Sequence, residues 1–141
     1  MKTAVVICPG RGTYGKAELG YLKRHFGDRA LLAGFDAARA ALGQETLSAL
    51  DGAPSYSLGK HTRGDNASGL IYAATLGDFR AISDDEIEVV AVTGNSMGWY
   101  SALAVGGALT GEAGFEVVNT MGTLMQAASI GGQLIYPFMG E

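Results

Sequence analysis

The sequence has one cysteine and three prolines in 141 residues. It has no apolar run near the ~18 residues that a membrane-spanning helix needs, so no membrane partner is expected. A lone Cys8 cannot close a disulfide within the chain, which fits a reducing cytoplasm. There is no repeat, low-complexity tract or linker, so the whole of 1–141 is expected to belong to a single domain. Basic residues are also few: ten Lys and Arg against 14 Asp and Glu give a net charge of −4. No basic stripe is left to neutralise phosphates, and a nucleic-acid partner is not expected. The start, MKTAVVICPG, is cut off at Pro9-Gly10 too early for a secretory signal. His, Cys and carboxylates nowhere cluster at ligand spacing, so neither a metal nor a bound redox cofactor is expected.

What remains is 48% hydrophobic, enough to bury one core. Residues 3–8 (TAVVIC) are a continuous β-branched run of the kind buried on both faces of a sheet. Leu19, Leu22 and Phe26 recur at helical spacing. So do Leu31, Phe35, Ala38 and Leu42, after Asp28 as N-cap and before Gly43 as terminator. A short helical stretch (ETLSAL) precedes turn signals, and 66–79 is small and apolar enough for a buried helix. A second strand, 87–93 (IEVVAVT), follows the polar turn Asp84-Asp85-Glu86. After it come an Ala/Leu-rich helix of about a dozen residues, a helix over 112–128 and a strand-like run GQLIYPFM. Alternating helices and hydrophobic strands predict an α/β fold: a largely parallel sheet with flanking helices. The last run has no following element to pack on it, so the domain is expected to be truncated.

The second strand runs into Gly94-Asn95-Ser96-Met97-Gly98, a G-x-S-x-G. In a chain this rich in glycine such a pattern arises by chance roughly once in five cases, so its setting decides. Here a strand ends at the first glycine and a helix begins after the serine, the setting of a nucleophile elbow. Gly94 and Gly98 give the backbone room for the sharp turn. A helix N-terminus at Ser96 favours developing negative charge, and the Met97 amide is a candidate oxyanion donor. The competing reading is that Ser96 only N-caps a helix.

The loop after the first strand offers a rival chemistry. Gly10-Arg11-Gly12-Thr13-Tyr14-Gly15 is a formal G-x-G-x-x-G, the opening of a dinucleotide fingerprint. That fingerprint also requires a second strand ending in an acidic residue about 20 positions on. Asp36 stands there, but inside an amphipathic helical run with no strand before it.

Together the two glycine-rich segments resemble the malonyl-CoA:acyl carrier protein transacylase family. Its chains open with a strand and F-P-G-Q-G-S and carry G-H-S-L-G-E-Y-S-A-L at the elbow. The corresponding stretches are Cys8-Pro9-Gly10-Arg11-Gly12-Thr13 and Gly94-Asn95-Ser96-Met97-Gly98-Trp99-Tyr100-Ser101-Ala102-Leu103. Downstream, Met121-Gly122-Thr123-Leu124-Met125-Gln126 resembles the family's R-G-x-x-M-Q. The resemblance implies an α/β-hydrolase-like acyltransferase core. In it Ser96 takes an acyl group, malonyl or uncharged, from acyl-CoA as an ester and passes it to the phosphopantetheine thiol of an acyl carrier protein. It implies a place in fatty acid or polyketide biosynthesis, and an oxyanion hole from the backbone amides of Arg11 and Met97.

The sequence departs from the family at three positions. Asn95 replaces the histidine beside the serine, and Trp99 replaces a glutamate. Met121 stands where the family has an arginine that clamps the malonyl carboxylate. Arg11, Asn95 and Met121 are thus the substrate-binding candidates. The expectation is an uncharged acyl group or a substitute cation such as Arg11, unless Met121 merely packs in the core with Phe115 and Met125. The family's general-base histidine falls beyond residue 141, so a second chain or further sequence is expected to complete the site. His25 and His61 are expected to be solvated surface residues, and Cys8 a buried, unreactive one. A thioester hydrolase and a non-catalytic binding module are the alternatives.

Overall fold

The computed structural model of the chain describes residues 1–132 and 134–140. Strand β1 (Lys2–Cys8) leads through a loop and one 3-10 turn (Lys16–Glu18) into helices α1 (Tyr21–His25) and α2 (Arg29–Ala41). Two short helices, α3 (Leu47–Asp51) and α4 (Leu58–His61), precede the long α5 (Gly64–Arg80). Then come β2 (Ile87–Gly94), α6 (Gly98–Val105) and α7 (Gly111–Ala128). The strands pair in parallel from Lys2 opposite Ile87 to Cys8 opposite Gly94, with an irregularity between Ala4 and Val5. The parallel α/β architecture expected from the sequence is borne out.

Most of the core lies among the helices. Phe35 of α2 stacks on Phe115 of α7 with ring centroids 4.3 Å apart, and Tyr72 of α5 and Phe26 contact it edge-on. The first half of α5 is buried on every side because Ala67, Ser68 and Gly69 let its neighbours close in. A Cβ on Gly69 would come within 2.9 Å of Leu47. Into this core the fold places the fully buried Arg39 without a carboxylate. Its guanidinium donates to the Glu45 and Asp65 carbonyls and to the side chains of Asn66 and Asn119, at 2.6–2.8 Å. Burial pushes its pKa down, yet four neutral acceptors hold the charge in place and tie α2 to α5 and α7.

Four expectations are corrected. β1 is not buried on both faces: Val5 and Ile7 are 56% and 69% exposed, because the described sheet has two strands. α6 has eight residues and not about a dozen, since Gly106 and Gly107 end it. The strand-like GQLIYPFM forms no regular element over its described residues, and Leu134, Ile135 and Phe138 are exposed; Gln133 lies outside the described residues. His61 is 1% exposed and not solvated. It ends α4, its Nε2 donates to the Leu50 carbonyl (2.8 Å) and its Nδ1 accepts from the Ser57 amide (3.1 Å), with the rings of Tyr56 and Tyr14 stacked on it. Among the described residues no helix is long and apolar enough to cross a membrane.

Candidate active site

Pairing of Cys8 with Gly94 brings the ends of the two strands level. The Asn95 amide extends the ladder by donating to the Cys8 carbonyl at 3.0 Å, so the loop leaving β1 lies against the turn leaving β2. Ser96 sits in that turn with φ +55°, in the left-handed region. For a residue with a side chain this costs on the order of 1–3 kcal/mol, a strain characteristic of functional turns. The Gly98 amide donates to the Asn95 carbonyl (2.9 Å) and the Trp99 amide to the Ser96 carbonyl (3.1 Å), which feeds the chain directly into α6.

The surrounding glycines are required by space. A Cβ on Gly94 would overlap the Gly98 carbonyl group, and one on Gly98 would overlap the Cys8 carbonyl. At Gly10 it would lie 2.8 Å from the Asn95 oxygen and 3.0 Å from the Ser96 Cβ. Gly12 has open space around it and is needed for its φ of +100° instead.

Ser96 does not cap α6. Met97 occupies the N-cap, and no side chain accepts a hydrogen bond there. The Met97 and Arg11 amides donate to no described group, and both residues line the same cavity as Ser96. That cavity, about 260 Å³, lies between the turn and the face where α5 meets α7. Ser68 forms part of one wall; Tyr100, Val118, Met121, Gly122 and Met125 form the others. Met121 is therefore a cavity residue and not a core one, whereas Phe115 is buried in the aromatic cluster. Asn95 is exposed and does not line the cavity.

Arg11 is on the exposed loop with its guanidinium against the start of α5. A Cβ on Gly64 would sit 2.8 Å from its Nη1, 3.4 Å from the Gly122 carbonyl and 3.5 Å from Gln126 Oε1. Gln126 in turn accepts from the Gly64 amide at 2.9 Å and fastens the end of α7 to the start of α5. Ser68 is almost fully buried, and among the described residues the buried side-chain oxygen left without a hydrogen-bond partner is the hydroxyl of Ser101 in α6.

Neither histidine lines this cavity. His25 is exposed at the end of α1, and both nitrogens of His61 are taken by backbone. Cys8 is buried, which raises its thiol pKa and keeps it protonated. Asp36 lies within α2 and accepts from the Ser48 amide, and no second strand stands between β1 and it, so the dinucleotide fingerprint is not completed. Among the described residues no three His, Cys or carboxylate groups are placed to hold a metal. A larger cavity of about 490 Å³ runs between β1 and α5, past Ile7, Tyr14, Ile71 and Phe79. It contains no serine, cysteine or histidine.

Sequence reasoning missed Ser68, Tyr100 and Val118. Tyr100 and Gly122 stood inside quoted segments and helical spacing puts Val118 on one face with Met121 and Met125, but nothing local to Ser68 distinguishes it from other residues of a buried helix.

No protein-family model and no curated protein matches the chain. Solved structures do. An acyl carrier protein S-malonyltransferase from Vibrio cholerae superposes with a TM-score of 0.66 at 27% identity, over 91% of this chain and 40% of that one. One from Burkholderia pseudomallei gives 0.65 at 25% identity, again over 91% and 40%. A malonyl-CoA:ACP transacylase from Synechocystis, 24% identical over 91% of this chain and 41% of its own, shares the fold with a TM-score of 0.64. The resemblance found in the motifs thus extends to the three-dimensional structure, and the chain spans about 40% of the length of these neighbours.

Proposed function

We propose that this chain carries the nucleophile of an acyltransferase, Ser96, which moves an acyl group from coenzyme A to an acyl carrier protein in the cytoplasm. Oγ attacks the thioester carbonyl carbon, its proton passes to a base, and the C–S bond breaks to release the thiol of coenzyme A. The carrier's phosphopantetheine thiol then attacks the Ser96 ester, forming a new thioester and restoring the hydroxyl. The backbone amides of Arg11 and Met97 hold the oxyanion in both steps. Amides serve whatever their side chains, so the role is open to an arginine and a methionine.

The observation that carries the reading is the strained Ser96, held at φ +55° by glycines that leave no room for a Cβ, beside two amides without described partners. A serine with a purely structural role gives no reason to keep that strain. The solved structures support the reading through their names, which specify acyl carrier protein and malonyl transfer. In this reading the base comes from outside residues 1–141, in further sequence or another chain, since neither histidine lines the cavity. Acyl-CoA is a substrate, and the step needs no bound cofactor.

The test is transfer itself. The natural protein, given acyl-CoA and a phosphopantetheinylated carrier, should produce acyl-carrier detectable by mass, and Ser96→Ala should abolish it. Free acid in place of acyl-carrier would replace transfer by thioester hydrolysis. Neither product would leave a binding module.

A further inference from the structure

We infer that the acyl group accepted at this site is short and uncharged, and that Met121 is its main selector. The inference deepens the proposed function and rests on Ser96 being the acylated residue. At about 260 Å³ the cavity falls just below the ~300–1,000 Å³ usual for small-molecule sites, which suits a group of a few carbons. Its walls beyond Ser96 are largely apolar: Met97, Met121, Met125 and Val118, with Tyr100 beside them. Thioether side chains adapt to irregular aliphatic shapes, but they carry no charge and donate no hydrogen bond. A carboxylate placed among them would find neither an ion-pair partner nor a hydrogen-bond donor in those methionine and valine side chains.

Besides Ser96, three side chains in the wall carry polar groups, Tyr100, Ser68 and Arg11, and the Tyr100 hydroxyl is a neutral donor. The Ser68 hydroxyl is neutral. The Arg11 guanidinium belongs to the exposed loop after β1, and a point 2.8 Å from its Nη1 is within 3.5 Å of both the Gly122 carbonyl and Gln126 Oε1. Neutral protein oxygens therefore stand within reach of its donors, and Arg11 is the one cationic side chain among the lining residues. The acyl chain lies along Met121 and Met125 while its carbonyl meets the two amides.

The experiment is a competition on the natural protein. Acetyl-, butyryl- and malonyl-CoA are supplied in equal amounts, and the Ser96 adducts are counted by mass at early times. Acetyl and butyryl adducts should exceed malonyl by at least about tenfold. Met121→Arg, which puts a cation inside the wall, should narrow or reverse that ratio. The wild-type ratio decides by itself, so a variant that fails to fold leaves no gap. Preferential malonyl loading would overturn the inference while leaving acylation of Ser96 intact. Loss of that malonyl preference in Arg11→Ala would name the Arg11 cation as the recognition element. An unchanged ratio in a folded Met121→Arg protein would remove Met121 as selector. No adduct from any of the three would overturn the reading underneath.

Discussion

The helical body and the two-stranded sheet are built on opposite principles. In the body, Phe26, Phe35, Tyr72 and Phe115 fill one continuous core, and Arg39 satisfies four buried acceptors around it. In the sheet, Val5, Ile7 and Val90 stand exposed, and the strands are defined mainly by backbone pairing. The candidate nucleophile belongs to the sheet side, on a turn held by glycine geometry and backbone hydrogen bonds. The cavity facing it is walled by the body. Mutations in the body should therefore act mainly on stability, while under the proposed function those in the elbow should act on chemistry as well.

The sharpest break of that contrast comes from the body. Phe35→Ala should cost about 3–5 kcal/mol in chemical denaturation, because a fully buried ring is replaced by a cavity. Arg39→Ala should cost about 3 kcal/mol or more, since it strands the Asn66 and Asn119 side chains and two carbonyls. A loss under about 1 kcal/mol in either would mean that the helices are not held this way. On the sheet side, Gly98→Ala should destabilise by about 1–3 kcal/mol through its clash with the Cys8 carbonyl, and should abolish acylation at Ser96. Ser96→Gly should raise stability by about 1 kcal/mol, as relief of a left-handed residue requires; no gain would argue that the turn is unstrained. Val5→Thr, on an exposed strand position, should move stability by no more than about 0.5 kcal/mol.

Features written in local pattern were legible in the sequence. The strand–turn–helix at Ser96, the Asp28 N-cap and the helices over 66–79 and 112–128 all followed from periodicity and punctuation, and each stands within two residues at either end. The convergence of Ser96, Arg11, Met97 and Met121 was legible only through the resemblance, because their closeness depends on a parallel register between segments some 85 residues apart. His61 was misread because a four-residue helix leaves almost no periodic signal, and its burial depends on Tyr14, Leu50 and Tyr56, which come from elsewhere in the chain. Arg39 was invisible for the same reason: alone in sequence it is a charged residue on a helix, and only its four partners explain its burial. The exposed face of β1 shows the converse limit, since a β-branched run reveals its preference for burial but not how many strands are present to satisfy it.

The most direct test of the account is the intact mass of the natural protein after exposure to acetyl-CoA, alone and as Ser96→Ala. The account predicts one acetyl increment, mapped by peptide analysis to Ser96 and absent from the variant. No increment on the wild-type protein, or one that survives in Ser96→Ala, would contradict it.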